Sequence, residues 1–210
     1  MIEKEIRVRS YWGVEIKNEY IAQEKDILMV LLPGGKYTNM APLFYYSYNI
    51  SLQLGYDILA LDYGFQKTYK AVKFDDVTFY NMTQETIEAI KKCLEHKKYK
   101  IIVFIGKCVG TVVQHNLVNE FKEYEQKHIF MTPWTSIIEG IKNTSSLVIV
   151  GTNDPVFKQE HISNISNMQN VKVKLIEGAN HDLEKDDFLE SLAILKDVSE
   201  SIYDFLKELR

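Results

Sequence analysis

The sequence predicts an α/β fold: a mostly parallel sheet of about eight strands with helices on both faces. Three observations carry this. Short, wholly apolar runs recur at residues 27–32, 101–105 and 147–150, the signature of strands covered on both sides. Amphipathic stretches of helical period separate them. The chain opens differently, on segments that alternate apolar and charged residues, which predicts an antiparallel start.

Taken in order, Ile6-Arg7-Val8-Arg9 and Val14-Glu15-Ile16-Lys17 read as two half-exposed strands joined near Trp12-Gly13. The apolar run 27–32 stops at Pro33-Gly34-Gly35. A helix is expected over 42–54, ended by Gly55. A strand over 57–62 follows, then a helix over 75–95 with Ile87, Ile90 and Leu94 on one face. After the buried strand 101–105, Val109, Val113, Leu117 and Phe121 recur every fourth residue, one stripe of a helix. A short strand at 128–131, a short helix at 136–141, a strand at 147–150 and a short helix after Pro155 come next. The last strand spans 171–176, and Leu195, Val198, Ile202, Phe205 and Leu209 define a C-terminal helix packed on the sheet.

At 210 residues the chain fits one domain, 1–210, with a core large enough to need no staples. The apolar share of 46% and charged share of 26% are those of a soluble globule. A formal net charge of −4 argues against an electrostatic nucleic-acid binder. No apolar stretch approaches the length of a membrane span, and Met1-Ile2-Glu3-Lys4-Glu5 has no signal core. The two cysteines, Cys93 and Cys108, are expected as free thiols in the cytoplasm, and no Cys/His spacing suggests a metal site.

In open sheets of this kind, sites form at the C-terminal ends of the strands. Gly106-Lys107-Cys108-Val109-Gly110 sits there, between the buried strand and the amphipathic helix. This is G-x-C-x-G, a nucleophile elbow with cysteine in place of serine. The turn is sharp, and side chains two positions either side of the nucleophile would collide, so glycine is required there. Cys108 falls at a helix N-terminus, where the dipole favours a thiolate. The next-to-last strand leads to Gly151-Thr152-Asn153-Asp154-Pro155, and the last to Gly178-Ala179-Asn180-His181-Asp182. Nucleophile, acid and base therefore follow one another as Cys108, Asp154 and His181: the imidazole takes the thiol proton, and the carboxylate fixes its tautomer. The backbone N–H of Val109 and those of Gly35 and Lys36, in the loop after the third strand, are the candidate oxyanion donors. Tyr37, Tyr63, Phe65 and Trp134 are candidate pocket walls, with Tyr37, Tyr63 and Trp134 the substrate-binding candidates.

With Leu32-Pro33-Gly34-Gly35, the Cys108 elbow, Gly151-Thr152-Asn153-Asp154 and Ala179-Asn180-His181, the chain resembles the α/β-hydrolases over nearly its whole length. The cysteine variant is similar to the dienelactone-hydrolase branch, while the loop after the third strand reads more like small bacterial hydrolases. No long insertion follows Met131, which implies no sizeable lid and an open pocket. The resemblance implies an ester, thioester or lactone hydrolase acting on a small molecule through an acyl-cysteine, with no cofactor. Amides rank lower, because a thiolate leaves a tetrahedral adduct more readily than an amine does.

Plainer roles compete for each residue. Cys108 is alternatively a packing cysteine or the replacement of a serine, and Asp154 a turn residue before Pro155. Asp57 and Asp182 compete for the acid position; His96, His115, His128 and His161 are read as packing residues. Lys107 either points to solvent or attracts an anionic substrate. A catalytically impaired scaffold that binds or senses a ligand is the alternative function.

Overall fold

A computed structural model of the chain describes residues 1–68 and 71–209. Its centre is one eight-stranded sheet in the order β1-β2-β4-β3-β5-β6-β7-β8. The strands are β1 (Ile2–Arg9), β2 (Glu15–Ala22), β3 (Ile27–Leu32), β4 (Asp57–Ala60), β5 (Ile101–Cys108), β6 (Glu125–Pro133), β7 (Ser146–Gly151) and β8 (Val171–Ile176). β1 pairs antiparallel with β2, and β2 with β4; every later pairing is parallel. The apolar runs behave as expected: β3 and β7 are buried at every residue, whereas the alternating β1 and β2 are buried on one side.

The helices are α1 (Pro42–Leu54), α2 (Gly64–Thr68), α3 (Asp76–Leu94), α4 (Gly110–Glu120), α5 (Ile138–Ile141), α6 (Gln159–Ser166) and α7 (Phe188–Lys207). Gly55 ends α1 in the left-handed conformation, at φ 78°. Asp75 caps α3 by accepting a bond from the Thr78 amide at 3.1 Å. Strand parity divides the core. Ile101, Val103 and Ile105 of β5 join the cluster under α1 and α7, while Ile102 and Phe104 join the cluster under α3 and α4. Between β6 and β7 stand only a 3₁₀ turn, Thr135–Ile137, and α5. Among the described residues no helix is long and apolar enough to cross a membrane.

The structure lengthens β1, β2 and β6 beyond the stretches the sequence pattern marks, and it adds α2. β1 and β2 run on through residues whose outward side chains are charged, such as Glu3, Glu5 and Glu19; backbone pairing to a neighbour, not burial, carries those ends.

The end of the sheet opposite the elbow is closed by a buried network. Asp57 is fully buried and accepts bonds from the Tyr99 hydroxyl at 2.6 Å and the Gln23 amide at 2.7 Å, with the Lys97 ammonium at 3.1 Å. That places Asp57 at the wrong end of its strand to serve the elbow. Cys93 is buried and unpaired, and burial pushes its thiol up to about 12.

Candidate active site

β5 ends on Cys108, whose φ of 52° is left-handed, an uncommon conformation for a residue other than glycine. The two flanking glycines explain how it is held there. A Cβ at Gly110 would lie 2.2 Å from the Leu32 carbonyl oxygen, and one at Gly106 would lie 2.2 Å from Gln114 Oε1. The turn is latched from beyond: Thr111 Oγ1 donates to the Cys108 carbonyl at 2.6 Å and accepts from the Trp134 amide at 3.0 Å. Cys108 itself is half-buried, with Phe74, Phe79 and Trp134 packed against the same cluster.

His181 and Asp154 meet above the ends of β7 and β8. His181 Nδ1 lies 2.8 Å from Asp154 Oδ2. The Asp154 side chain is fully buried, and its other oxygen accepts from the Val156 amide at 2.7 Å and the Phe157 amide at 3.2 Å. Asp154 is thus both the turn residue and the imidazole's partner. The loops lock together by backbone: the Asn153 amide donates to the Ala179 carbonyl at 2.9 Å, and a Cβ at Gly151 would lie 2.1 Å from that same oxygen. Burial raises the Asp154 carboxyl, but the bond from His181 and the two amides outweigh it and hold it below its ordinary value. Burial likewise lowers His181, yet Asp154 and Cys108 together hold it up at about 9. The remaining ring nitrogen, Nε2, is buried without a hydrogen-bond partner among the described residues. Cys108 lies near enough for its sulfur to favour the protonated ring.

The loop after β3 crosses Cys108 closely. A Cβ at Gly34 would come within 3.6 Å of the Cys108 Cβ, and one at Gly35 would meet the Phe74 ring at 2.8 Å and Val109 Cγ2 at 3.8 Å. Gly35 and Val109 therefore sit side by side at the elbow. Gly34 uses its own amide to bond the Tyr37 carbonyl at 2.9 Å, and Gln66 holds the Gly34 carbonyl at 2.9 Å. Among the described residues, no acceptor is found outside regular structure for the amides of Gly35, Lys36 or Val109. Lys36 carries its side chain into solvent.

The four wall candidates fare differently. Trp134 lines a cleft of about 550 Å³ with Phe74, Phe79 and Val112, and Cys108 is not part of its lining. Tyr37 lines a second cleft, about 310 Å³, with Leu43, Asp182 and Leu183 on the His181 side. Its hydroxyl accepts the Leu43 amide at 3.0 Å, so its polar end is committed to the start of α1. Tyr63 is a correction: it is fully buried, stacked on Phe65, and lines neither of these clefts. Phe65 is buried likewise. The wall that the sequence reading missed is Phe74 and Phe79, stacked at 6.1 Å, with Phe79 edge-on to Trp134 at 6.5 Å. A larger groove, about 640 Å³, runs between α1 and α7, and like the other two clefts it is lined by none of Cys108, Asp154 or His181.

The competing residues are accounted for. His128 is stacked between Phe104 and Phe130, and burial drives it down to about 3. His115 packs under Gly140, His96 stacks on Tyr20, and His161 caps α6. Lys107 does neither thing expected of it. Its side chain turns inward, buried, and Asp182 pairs with it at 3.2 Å. Among the described residues no group of three or more His, Cys, Asp or Glu side chains is placed to hold a metal ion.

Two predictions arise from these environments. The Tyr63 hydroxyl is buried without a partner among the described residues, and an unsatisfied buried hydroxyl costs stability. Tyr63→Phe is expected to leave the melting temperature unchanged or higher and any activity intact; a clear loss of activity would restore Tyr63 to the site. The second concerns pH. The fold raises His181 from 6.5 to about 9, so its contribution to stability is complete below about 6.5 and is lost as pH rises through 9. The stability difference between the wild type and His181→Asn, followed by urea denaturation, should shrink from pH 6.5 to 9. A difference that grows over that interval would contradict the assigned environment. Asp154 works the other way: its contribution is present at neutral pH and fades as acid protonates the carboxylate.

No family model and no curated protein matches the chain in sequence. Solved structures do match it in shape. An esterase from Pyrococcus furiosus superposes with a TM-score of 0.72 at 16% identity, covering 99% of this chain and 92% of that one. A lidless α/β serine hydrolase from Xanthomonas campestris gives 0.70 at 11% identity, over 98% and 94% of the two chains. An α-β serine hydrolase homologue from Coxiella burnetii gives 0.68 at 15% identity, over 98% of each. With the strand order, the elbow and these superpositions together, the chain has the α/β-hydrolase fold.

Proposed function

We propose that the protein hydrolyses a carboxylic ester, thioester or lactone of a small molecule through an acyl-Cys108 intermediate, with His181 as proton carrier and Asp154 as its orienting partner. One observation carries the reading: Asp154 fixes Nδ1, and the opposite nitrogen is left buried and unpartnered on the side of Cys108. Burial leaves such a nitrogen no water to bond, so the natural partner is the nucleophile or its leaving group. A ring held up at about 9 beside a thiol suits a base that keeps the proton it takes from the nucleophile. The esterase and serine-hydrolase names of the structural neighbours accord with ester chemistry, carried here by sulfur at the elbow position.

In this mechanism the thiolate of Cys108 attacks the carbonyl carbon, and the carbonyl electron pair becomes an oxyanion received by the amides of Gly35 and Val109, with Lys36 next in the loop. Collapse breaks the bond to the leaving oxygen or sulfur, which takes the proton from His181 Nε2. The neutral imidazole then takes a proton from water as that water attacks the acyl-thioester. Expulsion of the thiolate regenerates the starting pair and releases the carboxylic acid. Phe74, Phe79 and Trp134 supply an apolar wall on one side of the acyl group. Free thiols at Cys93 and Cys108 accord with a reducing compartment such as the cytoplasm.

The test is pre-steady-state mixing with p-nitrophenyl acetate. A burst of one nitrophenolate per chain is expected, with an acetyl group recovered on the peptide that carries Cys108. Rapid stoichiometric labelling of Cys108 by iodoacetamide, with no turnover across an ester and thioester panel, would instead mark a ligand-binding or sensing scaffold.

A further inference from the structure

Lys107 occupies the variable position of the elbow, directly before the nucleophile, and its surroundings are unlike those of a solvated lysine. Its side chain is 1% exposed. The ammonium donates to the His181 carbonyl at 2.7 Å and to Thr132 Oγ1 at 3.1 Å, and pairs with Asp182 Oδ1 at 3.2 Å. Three donors thus meet three acceptors, one each from β6, the backbone at the base and the residue after it. The Tyr37 ring lies 4.8 Å from the same nitrogen and screens it from the cleft on the His181 side. A buried amine retains a charge only at a desolvation cost, and four specific partners are what offset that cost.

We infer that Lys107 is a positioning residue for the proposed reaction: its ammonium tethers the main chain of His181 to the nucleophile strand and places a positive charge beside the Cys108–His181 pair. The inference rests on the acyl-cysteine reading and deepens it. The groups facing the ammonium are the carboxylates of Asp182 and Asp154, the Cys108 sulfur and the Tyr37 ring. Those facing the imidazole are Asp154, Cys108 and Lys107. The cation opposes a proton on His181 while the two acceptors favour it. An imidazolium opposed in this way surrenders its proton to a leaving alkoxide more readily, and a thiolate gains a nearby counter-charge.

Two functions of the ammonium, tether and charge, predict opposite signs on removal. Loss of a tether alone loosens the loop, weakens the bond between His181 and Asp154, and lowers the His181 titration. Loss of the charge raises it. The experiment is an NMR titration of the His181 ring, assigned by its absence in His181→Asn, in wild type, Lys107→Gln and Lys107→Met. Glutamine keeps a donor for the His181 carbonyl without the charge and guards against a methionine variant that fails to fold. The expected result is an upward shift of His181 in Lys107→Gln, which loses only the charge, and a titration lower than that in Lys107→Met, which loses the tether as well, together with a kcat on p-nitrophenyl acetate lowered about 10- to 100-fold in both and a smaller change in KM. A titration unchanged or lowered in Lys107→Gln, or one equal in the two variants, overturns the inference. Because the titration needs no substrate, it also stands if the wild type proves inactive on esters, a result that would count against the acyl-cysteine reading alone.

Discussion

Cys108→Ala is expected to reduce turnover of an activated aryl ester by about 10⁴-fold or more, the scale on which loss of a nucleophile acts in acyl-transfer triads. What remains is the binding of substrate and the polarisation of its carbonyl by the Gly35 and Val109 amides. The protein itself should survive. Cys108 is half-buried at the rim of the core, and alanine removes one sulfur atom without disturbing Gly106, Gly110 or the Thr111 latch. The variant should therefore keep its cooperative urea transition while losing both the burst and the acyl adduct. It should also move His181. The sulfur is one of the groups that hold the ring up at about 9, so the His181 titration should fall in Cys108→Ala. Serine tests the same point from the other side: it restores a nucleophile but not a thiolate partner, and turnover below wild type is expected. Full activity in Cys108→Ala would remove the acyl-cysteine mechanism altogether.

Much of this arrangement was legible in the sequence because it follows from where strands end. Cys108, Asp154 and His181 each stand at or just past the C-terminal end of a strand, and a parallel sheet brings such ends to one edge. What the sequence withheld is side-chain direction beyond the regular elements. Tyr63 was placed at the site because it follows the strand that ends near residue 62. The chain instead turns at once into α2, five residues long, too short for a periodicity to announce, and buries the ring. Phe74 and Phe79 were missed because nothing in a loop-to-helix junction marks an aromatic as facing a distant glycine. Lys107 is intermediate. Parity along β5 puts it on the same face as Ile101, Val103 and Ile105, so its inward direction follows from the strand. Its partners do not, because Thr132 and Asp182 arrive from other strand ends through turns with positive φ at Thr132 and Leu183.

The largest effect on folding is expected from Gly110→Ala, about 3 kcal/mol or more of lost stability. Helix propensity argues the opposite way, since alanine is favoured over glycine in a helix by about 1 kcal/mol. Sterics decide the sign. The new Cβ would lie 2.2 Å from the Leu32 carbonyl oxygen and 2.5 Å from that of Pro33. Both are backbone atoms at the end of β3, whose pairing with β5 runs through Leu32 and Gly106, so neither can swing aside as a side chain would. Relief requires α4 to withdraw from the sheet or the end of β3 to shift. Either movement parts Val109, at the start of α4, from Gly35, in the loop that β3 feeds, and these carry the two proposed oxyanion donors. The fraction that still folds should therefore lose ester turnover more severely than it loses alkylation of Cys108, which needs no oxyanion. Gly106→Ala provides the contrast. Its Cβ would meet Gln114 Oε1 at 2.2 Å, the far end of a flexible side chain, and the nearest backbone atom only at 3.1 Å. Its cost should be smaller, set by how far Gln114 moves from the Phe104 carbonyl that it bonds at 3.2 Å. Urea denaturation of the two variants side by side measures the difference, and a Gly110→Ala midpoint at or above that of wild type would show that α4 does not approach β3 this closely.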